Sequence, residues 1–398
     1  MGGISMFALW MGAAVSLAEI MTGSLLAPLG LQKGLLVILA GHLIGTLILA
    51  AIGVIGFREK KTAIETAQLS FGQYGGKIIA ILNCIQLVGW TSIMLINSSK
   101  SLQVVTEKLF GFNNFTVLTI LAGSLVLLWT LSSYNGKHLV NNAAVLLLLG
   151  LCIFMTTLIL NEKAPAPLAG EMSLALGLEL SIVMPLSWIP LIADYTRSAK
   201  SQRVSFWGPF GGYFLGSSFM YFIGLASAIY TGSSDPIGML SSLNLGIAAI
   251  LVILLSTITT TYLDVFSTVM SANSITKRFD HKTLIIFFGA IGTVLALYFP
   301  MHAYETFLYM IGSVFAPVFT IVLLDYYVFQ QDHSAAYLNK VGLLAAVVGI
   351  WAYYQLAEMN LIFGTSIPAM LVTGATYTAF TTMARYFGRS RRSVGENL

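Results

Sequence analysis

Residues 8 to 20 read Ala-Leu-Trp-Met-Gly-Ala-Ala-Val-Ser-Leu-Ala-Glu-Ile. An apolar stretch of helical length is interrupted near its middle by Gly12, Ala13, Ala14 and Ser16, with a carboxylate, Glu19, one turn later. Residues 183 to 190, Val-Met-Pro-Leu-Ser-Trp-Ile-Pro, repeat the pattern, with Pro185 and Pro190 flanking Ser187 and Trp188. A helix interrupted in mid-membrane exposes backbone N–H and C=O groups, tolerated only where they face protein or a cavity. Two interruptions in corresponding places therefore predict a binding site between them. Ordinary kinks are the bland alternative, since Gly and Pro are common in membrane helices.

Working outward, twelve apolar stretches approach the roughly 20 residues that span a hydrocarbon core. They fall at 4 to 29, 33 to 56, 76 to 104, 114 to 133, 139 to 161, 173 to 193, 208 to 231, 243 to 273, 283 to 299, 303 to 328, 338 to 357 and 365 to 386. With 57% hydrophobic and 9% charged residues, the chain reads as an all-α integral membrane protein. Of its 20 Lys and Arg, 16 fall on one side of the alternating spans, and only Lys33, Lys100, Lys108 and Lys163 on the other. Short cytoplasmic loops hold such an excess, so both termini are expected in the cytoplasm of a multi-pass protein of the cell membrane. The net charge of +4 then reflects topology and not a nucleic-acid surface. No basic n-region or cleavage site precedes the first span, which is expected to remain in the mature protein. Cys84 and Cys152 lie inside apolar spans and are assigned no disulfide or metal.

Midpoints of spans one and six, three and eight, and four and nine are each separated by roughly 170 residues. Five spans form an odd number, so the second copy enters the membrane from the opposite side. The expectation is a first five-helix unit over 1–165, an inverted second over 166–332, and two further helices over 333–398.

A carboxylate at a helix centre costs about 2.5 to 3.5 kcal/mol on insertion scales, so its retention implies use. Two stand out. Glu19 shares a face with Gly12, Ser16 and Gly23, and Asp264 lies in the polar stripe Thr257, Thr260, Thr261, Ser267, Thr268 and Ser271. In span three Asn83, Gln86, Trp90 and Asn97 place amides and an indole on one stripe, which suits a flat heterocycle or, more plainly, hydrogen bonds between helices. His42 is isolated and is assigned to packing. Nothing resembles a catalytic or metal cluster, a phosphate loop or a channel filter, so a transporter is expected and not an enzyme.

Four further segments carry a resemblance. They are Asp194-Tyr195-Thr196-Arg197, Ala316-Pro317 with Asp325-Tyr326-Tyr327, Ser70-Phe71-Gly72, and Asp264-Val265-Phe266-Ser267. In this order they resemble the nucleobase:cation symporter family of cytosine, allantoin and hydantoin permeases, which implies a LeuT-type fold of two inverted five-helix repeats plus two C-terminal helices. Residues 8 to 20 look most like its CytX-type branch, for which hydroxymethylpyrimidine, a thiamine precursor, is the proposed cargo. The resemblance implies that Trp90 stacks on substrate and Asp264 hydrogen-bonds it, the latter where the family's hydantoin transporter has an asparagine. Met94 replaces an amide of that protein and Trp188 is out of register with its tryptophan, so hydantoin is not the expected cargo. A sodium site would use carbonyls near Ala13 and Ser16 with Thr259 and Thr260, although Ile258 occupies one hydroxyl position. The expected substrate site is then Ser16, Glu19, Gln86, Trp90, Met94, Trp188 and Asp264. A carboxylic group both accepts from an exocyclic amine and, when protonated, donates to a ring nitrogen, which fits an aminopyrimidine. Cytosine shares that edge and is the alternative cargo. Sodium is the preferred coupling ion, with a proton on Glu19 as the other; no other cofactor is implied, the expected partners are the small heterocycle and the bilayer, and the sequence sets no oligomeric state, a monomer being compatible with it.

Overall fold

The computed structural model describes residues 1–133, 150, 153–154, 156–157, 170–232 and 246–395, with the side chains at 133, 246–253, 255–256, 259 and 387–395 outside that description. Every element among these residues is helical. Eight helices are long and apolar enough to cross a membrane, nine when the bent first pair is taken as one. Helices lie on eleven of the twelve expected spans; the fifth, at 139 to 161 with Cys152, falls almost wholly outside the described residues.

Both anticipated interruptions are present. Span one consists of Gly3–Ala14 and Leu17–Leu25, bent by 58° at Val15 and Ser16. Span six consists of Leu174–Leu186 and Ile189–Thr196, separated by Ser187 and Trp188. Span two is Gly30–Glu59, span three is the long helix Ala63–Phe110, span seven is Gln202–Thr231, span eight is Gly246–Ile275 and span ten is Tyr304–Leu323 with a wider π turn at Leu324–Phe329. Spans four, nine, eleven and twelve are Phe115–Ser133, His281–Tyr298, Lys340–Ala357 and Ser366–Gly395. Large apolar side chains cover the outer faces, including Leu36, Leu39, Leu43 and Leu47 on span two and Ile286, Phe287, Val294 and Tyr298 on span nine. Contiguous exposed apolar surface of this kind is suited to lipid.

In lipid the helices gain nothing by burying apolar surface against each other, so close approach of backbones has to hold them together. Span seven supplies it with Gly208, Gly212, Gly216 and Gly224, multiples of four apart and so on one face. A methyl group on Gly216 would stand 3.1 Å from Met11 O, and on Gly212 or Gly224 would collide with Phe7 O or Ile20 O. Both halves of span one thus lie directly on span seven. Span two likewise presents Gly41 and Gly45 to Ser181 and Pro185 of span six.

The Ser70-Phe71-Gly72 segment marks a kink in span three. Gly72 has φ 76°, and a side chain there would also press on Ala336 O. The segment before span eleven docks on this kink through Gln73 N to Ala336 O, Asn339 N to Phe71 O and Asn339 Nδ2 to Ser70 O. Asp325 of span ten accepts from Tyr377 OH of span twelve at 2.7 Å.

Besides Asp325, two further buried carboxylates fall outside the pair singled out from the sequence. Glu179, in the first half of span six, accepts from Tyr353 OH, Thr365 N, Ser366 N and Ser366 Oγ at 2.6–2.7 Å, tying span six to spans eleven and twelve. Asp194 accepts from Ala63 N and Ser267 Oγ and joins spans three, six and eight.

Gly224→Ala is expected to lower stability by about 1–3 kcal/mol, the usual cost of overpacking. Gly211→Ala on the same helix, where the new methyl would meet only Phe7 ring atoms at 3.5 Å or more, is expected to be close to neutral. Thermal unfolding of the two variants in detergent compares them.

Candidate substrate and cation site

The two breaks meet a common cavity. Its walls include Ala13, Ser16, Ala18 and Glu19 of span one, Leu87, Trp90 and Met94 of span three, Met184, Ser187, Trp188 and Leu191 of span six, and Asp264 of span eight. Of the seven residues expected to bind substrate, six line it; Gln86 stands beside it. The cavity volume is ≈ 10 Å³, enough for about one water molecule. The polar wall residues are almost wholly buried, and the unbranched, adaptable side chains of Met94 and Met184 stand among them.

Val15 and Ser16 are extended, with φ −88° and −148°, which ends one helix and starts the next. Glu19 then falls in the first turn of the second half, where a helix dipole favours negative charge. Buried amides and a hydroxyl attend to the interrupted backbones. Gln86 Nε2 donates to Ser187 O at 3.0 Å, Asn83 Nδ2 donates to Pro190 O at 3.1 Å, and Thr260 Oγ1 donates to Gly12 O at 3.3 Å. The Gln86 side chain is further engaged by its bond to Asn83 Oδ1, so the amide stripe of span three serves chiefly to hold span six.

The aromatic wall is rigid. Trp90 meets Tyr304 and Phe307 edge-on at 6.2 and 5.5 Å between centroids, and Trp188 meets Trp10 edge-on at 5.9 Å. Asp264 lies two turns below the bonded Asn83–Ser271 pair, and its Oδ2 is buried without a hydrogen-bond partner among the described residues. A carboxyl oxygen in that position is costly unless a ligand or a proton satisfies it.

Glu19 is fully engaged by contrast. Tyr213 OH donates to Oε1 at 2.6 Å and Ser217 Oγ donates to Oε2 at 2.7 Å. Ser217 Oγ also lies 2.6 Å from Nε2 of His42, whose Nδ1 lies 2.9 Å from Ile38 O. His42 was assigned to packing from its isolation in the sequence; the fold instead places it in the network that holds Glu19. The signal that would have found these groups is the glycine stripe: Tyr213 and Ser217 each directly follow a glycine that touches span one.

Of the expected cation ligands, Ala13 and Ser16 line the cavity and Thr260 reaches the Gly12 carbonyl just beyond. The Thr259 side chain lies outside the described residues, and Ile258 is buried. Thr261 turns back to Thr257 O of its own helix at 2.6 Å.

Residues 3–339 match the family model described as permease for cytosine/purines, uracil, thiamine, allantoin. The chain belongs to this permease family. It is 25% identical over 377 residues to the cytosine permease of Escherichia coli strain K12, covering 88% of this chain and 85% of that one. Among solved structures, MHP1, a nucleobase-cation-symport-1 family transporter in a closed conformation with bromovinylhydantoin bound, superposes with a TM-score of 0.82 at 19% identity, over 96% of this chain and 93% of that one. A Na+-coupled sialic acid symporter in an outward-open state gives 0.60 at 12% identity, over 96% and 95%. The protein is therefore a multi-pass membrane permease of this family, with the helical fold of MHP1.

Asn83→Leu removes the donor to Pro190 O and the partner of Ser271 Oγ. It is expected to destabilise the protein by about 1–3 kcal/mol, the cost of leaving a buried polar group unpaired. Met94→Leu, a near-isosteric change in the cavity wall, is expected to cost less than about 1.5 kcal/mol. Denaturation midpoints in detergent separate the two.

Proposed function

We propose that the protein imports a small aminopyrimidine by cation symport, with hydroxymethylpyrimidine or a related thiamine precursor as cargo. The observation that carries this reading is the Asp264 Oδ2 in the cavity wall, without a hydrogen-bond partner among the described residues and in the same enclosure as the indoles of Trp90 and Trp188. An exocyclic amine beside a ring nitrogen offers both hydrogen-bond characters to such a group. A flat ring stacks on an aromatic side chain for about 1–3 kcal/mol. Cytosine, the substrate named for the curated relatives, presents the same edge and is the second reading.

Within this proposal residues 1–165 and 166–332 form the two inverted five-helix repeats, residues 333–398 add two helices, and sodium is the coupling ion. A hard cation prefers oxygen ligands, and Thr260 Oγ1 and Gly12 O already meet between spans eight and one. The chain would lie in the cell membrane with both termini cytoplasmic. Supporting this, the amino group of Met1 donates to Ser198 O, and Lys200 N donates to Met1 O, so the N-terminus shares a side with the basic loop after span six.

Binding of hydroxymethylpyrimidine and cytosine to purified protein, with and without sodium, tests the proposal. Trp90→Ala and Asp264→Asn are each expected to lower affinity on the order of 10-fold, from about 1–3 kcal/mol per stacked ring or charged hydrogen bond, while Trp90→Phe retains most of it. Failure of both pyrimidines to bind overturns the substrate.

Sodium should raise pyrimidine affinity and pyrimidine should raise sodium affinity by the same factor, since linkage is reciprocal. Thr260→Val is expected to abolish that coupling and leave sodium-free binding in place. Uptake into proteoliposomes that follows a proton gradient and ignores sodium would overturn the choice of ion.

A further inference from the structure

The network around Glu19 contains more short contacts than it has hydrogens to fill them. Four pairs of heteroatoms stand within hydrogen-bond distance: Tyr213 OH with Glu19 Oε1 at 2.6 Å, Ser217 Oγ with Glu19 Oε2 at 2.7 Å, Ser217 Oγ with His42 Nε2 at 2.6 Å, and His42 Nδ1 with Ile38 O at 2.9 Å. Each contact at such a distance needs one hydrogen between its atoms. The Ile38 carbonyl only accepts, so His42 Nδ1 carries hydrogen. If Glu19 is ionised and His42 neutral, Tyr213, Ser217 and His42 supply three hydrogens for the four contacts. The Ser217 hydrogen then goes either to Oε2 or to Nε2, and the other contact brings two lone pairs face to face in a buried site. One more proton removes the conflict. It resides on Glu19, with Ser217 donating to a neutral imidazole, or on His42, with Ser217 donating to a carboxylate.

We propose that Glu19, Ser217 and His42 form a proton-binding site beside the substrate cavity, holding one proton between carboxyl and imidazole, and that a ligand N–H presented to Glu19 sends this proton to His42. The transfer conserves atoms and charge. The Oε2–H bond breaks as Ser217 Oγ takes the hydrogen, the original Ser217 O–H bond breaks, and a new N–H bond forms at Nε2. The products are a carboxylate facing the ligand and an imidazolium bonded to Ser217 Oγ and Ile38 O. His42 and Ser217 thereby act as positioning groups for Glu19. The proton count is independent of the substrate reading; only the transfer step rests on it.

The groups that face this site are Tyr213 and Tyr221 of span seven, the latter 4.5 Å from the His42 ring, Tyr304 of span ten, bonded to Thr22 and Ala18 O, and Asp264 of span eight in the same cavity wall. Among the described residues no Lys or Arg hydrogen-bonds to Glu19 or His42. The proton is thus held by the pair itself and not by a neighbouring base.

The test uses the full chain in lipid nanodiscs. Infrared difference spectra read the carboxylic acid stretch, assigned through its loss in Glu19→Gln, and ring ¹⁵N shifts read His42, assigned through His42→Gln. At neutral pH without ligand, one proton is expected on the pair: a Glu19 acid band with His42 neutral, or an ionised Glu19 with imidazolium. An ionised Glu19 together with a neutral His42 would overturn the site. Ser217→Ala keeps both titrating groups but removes the bridge, so cytosine is expected to leave the protonation of Glu19 and His42 unchanged in this variant; a proton shift on cytosine binding as large as in the unsubstituted protein would rule out the relay. Saturating cytosine is expected to abolish the acid band and bring up the imidazolium signal. A band that persists with cytosine bound overturns the transfer. Absence of cytosine binding removes the transfer together with cytosine as substrate, while the ligand-free titration still decides the proton site.

Discussion

Backbone groups left over where a helix stops inside a bilayer have no solvent to turn to, and the described residues hold two such stops, in spans one and six. Their positions dictate much of the interior. The turn at Ser187 and Trp188 is held by Gln86 and the start of the next half-helix by Asn83, so span three has to lie against span six. Thr260 does the same for Gly12, bringing span eight to the break in span one. The cavity arises from this arrangement, since the groups that close off the backbone also bring Trp90 and Asp264 to the same place.

The second constraint is the weakness of helix association in lipid. Glycines on span seven let span one approach until backbone touches backbone, and that approach carries Tyr213 and Ser217 to Glu19 and His42. The carboxylates of the interior fall into distinct roles as a consequence. Glu179 has four donors and Asp194 two, and both fasten helices together. Asp264 retains an oxygen without a partner in the cavity wall, where a substrate is able to use it. Glu19 belongs to both groups, lining the cavity while bonded on both oxygens.

The fastenings are placed unevenly. Asp194 joins the start of span three to spans six and eight, and the Gly72 kink and Asp325 join spans three, ten and twelve. These are the segments on which the resemblance read from the sequence rests. Their geometry indicates that they hold helix ends together near one face of the bundle while the cavity lies deeper, a division that suits a transporter in which bundles rock about a central site.

The membrane class, the spans that the structure describes, both helix interruptions and the choice of Glu19, Trp90 and Asp264, which line the cavity, were legible in the sequence, because each depends on local composition: apolar length, a Gly or Pro break, a charge where charge is costly. Tertiary structure alone decided which polar groups face the cavity and which face each other. Gln86 and Trp90 share a stripe, yet Gln86 is drawn to Ser187 O because an unpaired carbonyl lies there. Glu179 and Glu19 are equivalent as buried carboxylates in broken spans, and only the arrival of Tyr353, Thr365 and Ser366 from far along the chain distinguishes them. His42 looked isolated because its partner Ser217 is 175 residues away. Helical periodicity specifies which face a side chain occupies, whereas the neighbour that satisfies it is chosen by close packing between distant segments.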